Sequence, residues 1–256
     1  MRRLAILVLS LAFVRCAAAR EDGGCSATAY APDAIPVRSE PASKASSVQS
    51  IPKSSTASLV RADAFSAQGG DWLKISSEKY NGWVSARHVV CRLPSKAAQD
   101  IVAEQAEQVQ KALKGGDVAA LAQYVHPVKG LRFSPYATVD RKDVVLTAEQ
   151  LRGAMQDPAK RVWGFDDGSG APMRLSFAHY YHKFVYDRDF SQAAKVAYNS
   201  PGPGTNKAWE RYPNAIVADY GLPEAGKTAE EHLRLVFEEH AGKWYLSGII
   251  HDGWTI

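Results

Sequence analysis

Leu233 to Ile256, LRLVFEEHAGKWYLSGIIHDGWTI, is the stretch that decides the fold. Leu233, Leu235 and Phe237 alternate with Arg234, Val236 and Glu238. Beyond His240-Ala241-Gly242, Trp244, Leu246, Gly248 and Ile250 recur at the same period. Alternation on both sides of a glycine-containing break is the pattern of a β-hairpin. With a loop from Glu239 to Gly242, Glu238 faces Lys243 and the apolar set named above shares one face. The opposite face then carries Arg234, Val236, Tyr245, Ser247, Ile249 and His251. A slip of one residue exchanges the faces, so this register also decides which polar side chains share a pocket.

Upstream of the hairpin, the segment from Ser95 alternates helical and extended patterns. Ser95 is placed to cap a helix over Lys96–Lys114, with Ile101, Ala106 or Val109 and Leu113 as its apolar stripe. Gly115-Gly116 ends it, and Asp117 caps a short helix through Val118, Leu121 and Tyr124. Leu131-Arg132-Phe133 and Asp143 to Leu146 are strand-like, Thr147 caps a third helix, and Arg161 to Phe165 is a strand running into Asp166-Asp167-Gly168-Ser169-Gly170. Ser176 starts another helix through Phe177, Tyr180 or Tyr181 and Phe184. Asn199–Gly204 is a loop and Ala215 to Tyr220 a strand. Helices followed by strands and a long hairpin predict an α+β domain, with helices packed on one curved antiparallel sheet. This order is similar to the cone-like fold of nuclear transport factor 2, whose inner sheet face lines a pocket. HPVKGLRFSPYA, VWGFDDGSGAP, KFVYDRDF and the closing hairpin also resemble a domain at the C-terminus of exported bacterial proteins, over Ala97 to Ile256. That resemblance implies no activity.

From Cys25 to Leu93 the pattern is of short strands and turns, punctuated by Pro32, Pro36, Pro41 and Pro52. Val37-Arg38-Ser39 with Pro41, the strand before Pro52-Lys53, Trp72-Leu73-Lys74-Ile75 and Gly82-Trp83-Val84 resemble the bacterial Src homology 3 domain. The resemblance implies a small all-β, five-strand SH3-like barrel over residues 25–93, followed by the α+β domain over 95–256. Pro36 and Glu40 stand where that family usually has Asn and Gly. Relatives of this kind are often cell-wall or peptide-binding modules, so the resemblance implies an envelope ligand, with Tyr30, Trp72, Tyr80 and Trp83 as candidates for stacking on it. The alternative is that Trp72 and Trp83 fill the barrel.

The first nineteen residues bear on location. Arg2 and Arg3 precede an apolar run from Leu4 to Val14, and Ala17 and Ala19 follow, the pattern of a secretory signal peptide. Cleavage after Ala19 leaves 28 basic residues against 27 acidic ones, a net charge of +1, which argues against nucleic acid as a partner. No later run is long enough for a transmembrane segment. The expectation is an exported protein, periplasmic or surface-associated or secreted. Cys16 leaves with the signal, and the residues before it, Phe13, Val14 and Arg15, do not suit lipidation. Cys25 and Cys91 remain. In an exported chain they are expected to form a disulfide closing a loop of 66 residues, against the alternative of two free thiols.

Few residues carry a chemical signature. His179 and His182 lie three apart but lack a carboxylate at a matching offset, so they read as an exposed helix face and not as a metal site. Asp166–Gly170 lacks the ligand spacing of a calcium loop and the Lys-Ser/Thr of a phosphate loop, and reads as a turn. The sequence implies no cofactor and contains no Gly-x-Ser-x-Gly elbow. The hairpin's polar face offers Arg234, Tyr245 and His251 to a concave pocket, with His126 approaching the same mouth and Asp252 beside His251. The expected function is a non-enzymatic envelope protein, its N-terminal module recognising a peptidoglycan peptide or an envelope protein. The alternatives are a hydrolase or isomerase, or a small-molecule binder, using a C-terminal pocket, or an assembly module that covers an exposed apolar sheet face. An enzyme would need two titratable groups converging in that pocket. An apolar filling between helices and sheet would remove the pocket.

Overall fold

The computed structural model describes residues 24–67, 70–200, 205–223 and 230–253. The expected signal peptide, residues 1–19, lies outside the described residues, as do residues 201–204 of the expected loop. Among the described residues no helix is long and apolar enough to cross a membrane.

The N-terminal unit is all β apart from one 3₁₀ turn. Its strands are β1 (Cys25–Ala27), β2 (Ala34–Arg38), β3 (Ser47–Pro52), β4 (Val60–Ala67), β5 (Gly70–Ser76), β6 (Asn81–Ser85) and β7 (Val89–Cys91). Five of them form an antiparallel sheet in the order β3-β2-β6-β5-β4, with β3 and β4 as open edges. β1 pairs with β7 in the register Cys25↔Cys91, and a disulfide joins these two residues. Strand alternation sends Ile35, Val37, Ile51, Leu73, Ile75 and Val84 into a small aliphatic core. Gly82 is required where β6 crosses β2, because a Cβ there would lie 2.6 Å from Val37 Cγ1 and 2.8 Å from the Arg38 carbonyl oxygen. Of the Gly82-Trp83-Val84 motif, then, the glycine permits a close approach and only the valine enters the core.

The C-terminal unit begins at α1 (Ser95–Lys114), whose cap position is Pro94 and not the expected Ser95; no side chain caps it. Its buried stripe is Ala98, Val102, Ala106, Val109 and Leu113, while Ile101 is 44% exposed. Four short helices follow: α2 (Val118–Leu121), α3 (Ala148–Arg152), α4 (Phe177–Tyr180), which continues as a π-helical turn over Tyr181–Val185, and α5 (Thr205–Arg211). Asp117, Thr147 and Ser176 each accept a backbone N–H as caps, and Thr147 forms a capping box with Gln150.

The strands of this unit are β8 (Leu131–Ser134), β9 (Val145–Leu146), β10 (Arg161–Phe165), β11 (Pro172–Leu175), β12 (Val196–Tyr198), β13 (Ile216–Pro223), β14 (Glu230–His240) and β15 (Lys243–Asp252). β10 and β11 form a separate hairpin whose turn is Asp166–Gly170. The other six form one sheet in the order β12-β13-β14-β15-β8-β9. This sheet is mixed, not wholly antiparallel, because β8 runs parallel to β15. The preceding segment sets that direction: Leu246 N–H donates to the Tyr124 carbonyl and His126 N–H to the Leu246 carbonyl, so the chain already runs alongside β15 before β8 begins.

The hairpin of β14 and β15 turns more tightly than its sequence suggests. Ala241 and Gly242 have φ of 51° and 74°, and His240 faces Lys243 across a two-residue loop, so Glu238 pairs with Tyr245 and not with Lys243. The displacement is even and keeps the faces near the tip. Farther along, Phe237 pairs with Leu246 but Val236 with Gly248, leaving Ser247 as a bulge. Beyond it the faces exchange. Ile249 and His251 join Leu233, Leu235 and Phe237 on the helix-covered side, while Gly248 and Ile250 turn to the other side with Arg234 and Val236. Gly248 leaves the space that Tyr212 fills, since a Cβ would lie 2.9 Å from the Tyr212 hydroxyl.

The helix-covered face is filled. Phe133, Trp163, Phe177, Tyr180, Phe184 and Phe237 are all buried there, with Trp163 stacked on Tyr180 at 4.1 Å between ring centroids. On the opposite face, α5 and the turn after it lay Ala208, Trp209 and Tyr212 on Val217, Val236 and Ile250. The two units meet at the hairpin tip. Arg61 of β4 donates to Glu239 through Nε (3.0 Å) and Nη2 (2.5 Å), and through Nη1 to the Asn214 carbonyl. Ala241 N–H donates to the Ala64 carbonyl, and Lys129 bridges Asp71 and Glu238 at 2.7 Å each.

Candidate functional site

The sheet and the β10–β11 hairpin enclose a cleft of about 660 Å³ on the C-terminal unit. Its first wall is the loop from Pro135 to Asp143 that follows β8. This loop is held from below: Ser134 Oγ donates to Asp143 Oδ2 at 2.6 Å, Asp140 N–H donates to the same oxygen at 2.9 Å, and Arg132 Nη1 donates to the carbonyls of Asp140, Arg141 and Asp143. Burial raises the Asp143 carboxyl above the usual range, opposed by its bonds to Ser134 and Asp140. The second wall is the β10–β11 hairpin, where Gly164 at φ 138° fits between Pro135 and Met173 and leaves Phe165 57% exposed over the opening. Asp166 Oδ1 accepts from Gly168 N–H, Ser169 N–H and Ser169 Oγ, making the acidic run a closed turn. Lys207 of α5, Asp252 and Gly253 complete the rim.

Asp252 reaches the rim through a chain of ions on the outer sheet face. Arg234 donates from Nη1 to Asp252 Oδ2 at 2.6 Å and from Nε to Asp219 Oδ2 at 3.0 Å, and Asp219 Oδ1 lies 2.8 Å from His232 Nδ1. Burial works against the charged Asp219, but the His232 hydrogen bond and the Arg234 charge hold its carboxyl below the ordinary range. Arg234 is 1% exposed, so it positions a wall of the cleft and does not face a ligand.

Arg234 and His251 therefore do not share a pocket. The Ser247 bulge puts them on opposite faces of the sheet, and aromatic side chains fill the concave face where the pocket was expected. Tyr245 and His126 do meet, at 5.7 Å between rings, but at the other end of the hairpin, where His240 and Phe65 join them. His126 is buried, its Nδ1 accepts from Val128 and Lys129 N–H, and Nε2 has no partner in the described structure. Burial first, and then the charges of Lys129 and His240, lower its pKa to about 4. This cluster belongs to the contact between units.

On the N-terminal unit the four aromatic candidates form no single platform. Trp72 and Trp83 share the sheet face of Phe65 and Lys74, opposite the aliphatic core, so they do not fill a barrel. Trp72 is buried against the junction of the units. Trp83 is half-buried, with Phe65 edge-on at 6.3 Å and Lys74 Nζ over its ring. Tyr80 packs on the core, and Tyr30 stands 71% exposed beside Arg87.

A second polar cluster lies under the far end of the sheet, on the helix-covered side. His251 Nε2 is 3.4 Å from Asp187 Oδ2 and 3.3 Å from Glu231 Oε1, and Arg188 Nε forms an ion pair with Glu231 Oε2. Burial disfavours the imidazolium, but its hydrogen bonds with Asp187 and Glu231, and their charges, raise His251 to about 9. Asp187, Glu231 and His251 are the one set of three mutually close metal-ligand types among the described residues. His179 and His182 are exposed, and His179 Nδ1 lies 2.8 Å from its helix cap Ser176. The members of the Asp187 cluster are scattered over three elements with no motif spacing. The bulge that turns His251 toward the other two left no mark in the alternation pattern.

No family model matches this chain, and no curated protein or solved structure matches it.

Proposed function

We propose that this is an exported envelope protein that acts by binding and not by catalysis, with an SH3-like N-terminal module docked on a ligand-binding C-terminal unit. The observation that carries this reading is the cleft beneath Phe165. Its volume of about 660 Å³ is of ligand size. An exposed aromatic ring sits above it, and Lys142 and Lys207 stand on a rim shared with Asp140, Asp167 and Asp252. Mixed charges around an aromatic lip suit a peptide bearing both carboxylate and amine groups, such as a wall stem peptide. The buried carboxyl nearest the cleft, Asp143, spends one oxygen on two hydrogen bonds that shape the loop, which is a structural employment.

The test is retention of the purified protein on isolated peptidoglycan sacculi. Wild type is expected to be retained, with retention lost in Phe165→Ala and in Lys207→Glu, both changes at exposed positions. Loss in Trp83→Ala with Phe165→Ala unaffected would move the contact to the N-terminal module. Absence of retention in wild type would discard wall binding.

A further inference from the structure

We propose that Asp187, Glu231 and His251 form a binding site for one divalent cation of the zinc class, on the helix-covered side of the sheet. The separations carry the argument. A tetrahedral zinc site with bonds of roughly 2.0–2.2 Å sets its ligand atoms about 3.3 Å apart. His251 Nε2 stands 3.3 Å from Glu231 Oε1 and 3.4 Å from Asp187 Oδ2. Direct charge-assisted hydrogen bonds are shorter, about 2.7–2.9 Å. One imidazole N–H can serve both carboxylates only as a bifurcated hydrogen bond, whereas one cation accepts lone pairs from all three groups.

The surroundings fit a ligand set. His251 is fully buried, and its Nδ1 makes no hydrogen bond in the described structure; a cation binding at Nε2 displaces the proton that the two carboxylates otherwise favour there. The Arg188 ion pair to Glu231 Oε2 leaves Oε1 as the single donor of that carboxylate, an outer-shell contact of the kind that orients metal ligands. Gly253 makes room for it, since a Cβ there would lie 2.5 Å from Glu231 Oε1. The Asp187 side chain is 21% exposed, which gives the site an edge for ion entry and for a water as fourth ligand. Nitrogen and carboxylate donors in this geometry favour zinc over magnesium or calcium, which require more oxygen ligands. The cation would clasp the chain after the π-helical turn to the ends of β14 and β15.

The experiment uses protein purified without a histidine tag, stripped with chelator and titrated with Zn²⁺ by calorimetry, with metal content read by mass spectrometry after desalting. Expected are one zinc per chain, a rise in melting temperature on loading, and affinity weakened at least about tenfold in Asp187→Asn and in Glu231→Gln. His182→Ala, at a surface histidine, should bind as wild type does. Folded wild type that takes up no zinc overturns the proposal, and so does Asp187→Asn binding as tightly as wild type. Should Glu231→Gln fail to fold, Asp187→Asn, altered at a partly exposed position, decides the matter.

Discussion

The N-terminal and C-terminal units alternate inward and outward residues along their strands in the same way, yet different forces hold them. The N-terminal core is aliphatic: Ile35, Val37, Ile51, Leu59, Leu73, Ile75 and Val84 fill it, while Trp72 and Trp83 lie on the other face of the sheet. Such a core removes little apolar area from water, and the Cys25–Cys91 disulfide compensates by restricting the unfolded chain. The C-terminal core has no covalent tie among the described residues. It is built on aromatic rings, with Trp163 stacked on Tyr180 and edge-on to Phe133 at 5.9 Å. The contrast shows that the small sheet is secured by a crosslink and the larger one by ring packing.

Three measurements would break or sharpen this contrast. The largest effect is expected from Trp163→Ala, which empties the centre of the aromatic core and leaves the Leu175 carbonyl without its indole donor. It should cost about 3–5 kcal/mol in the C-terminal unit, read as an earlier unfolding transition in hydrogen exchange over residues 98–250. Equal acceleration over residues 25–91 would mean that the units unfold together and that the contrast is one of construction only. Next is reduction of the disulfide, or Cys25→Ser with Cys91→Ser. Its 66-residue span predicts a loss of about 4 kcal/mol in the chain-entropy model, confined to exchange in residues 25–91. Unchanged protection there would show that the aliphatic core suffices.

The smallest effect concerns the junction. His126 is held neutral, with its pKa lowered to about 4 from 6.5. Its unfolded form takes up a proton first as pH falls, so stability present above about pH 6.5 is lost on descent toward pH 4. The linkage amounts to roughly 2 kcal/mol by pH 5. Urea midpoints at pH 7 and pH 5, compared between wild type and His126→Gln, isolate this contribution. An equal drop in both proteins would assign the acid sensitivity to other groups.

Much of this architecture is legible locally. Thr147 with Gln150, Asp117 and Ser176 are caps whose side chains bond the N–H groups their positions lead one to expect, and Asp166–Gly170 is a turn because the Asp166 carboxylate reaches three donors in the next residues. The cleft and the polar cluster were not legible in this way. The cleft joins the Pro135–Asp143 loop, the β10–β11 hairpin, α5 and the end of β15. α5 itself falls in a stretch, Thr205–Arg211, without a clear apolar period of its own.

By itself the sequence determined the alternation that makes β14 and β15 a hairpin, the capped starts of the short helices, and a pair of cysteines at the two ends of the N-terminal unit. Each follows from interactions within a few residues or from the covalent chain. Tertiary structure alone decided that Ser247 bulges, that β8 joins β15 in parallel, and that Arg234 and His251 look out from opposite faces. A single extra residue in a strand reverses every side chain beyond it. Where that residue falls depends on packing across the sheet, here Tyr212 filling the space left by Gly248, which no local pattern records.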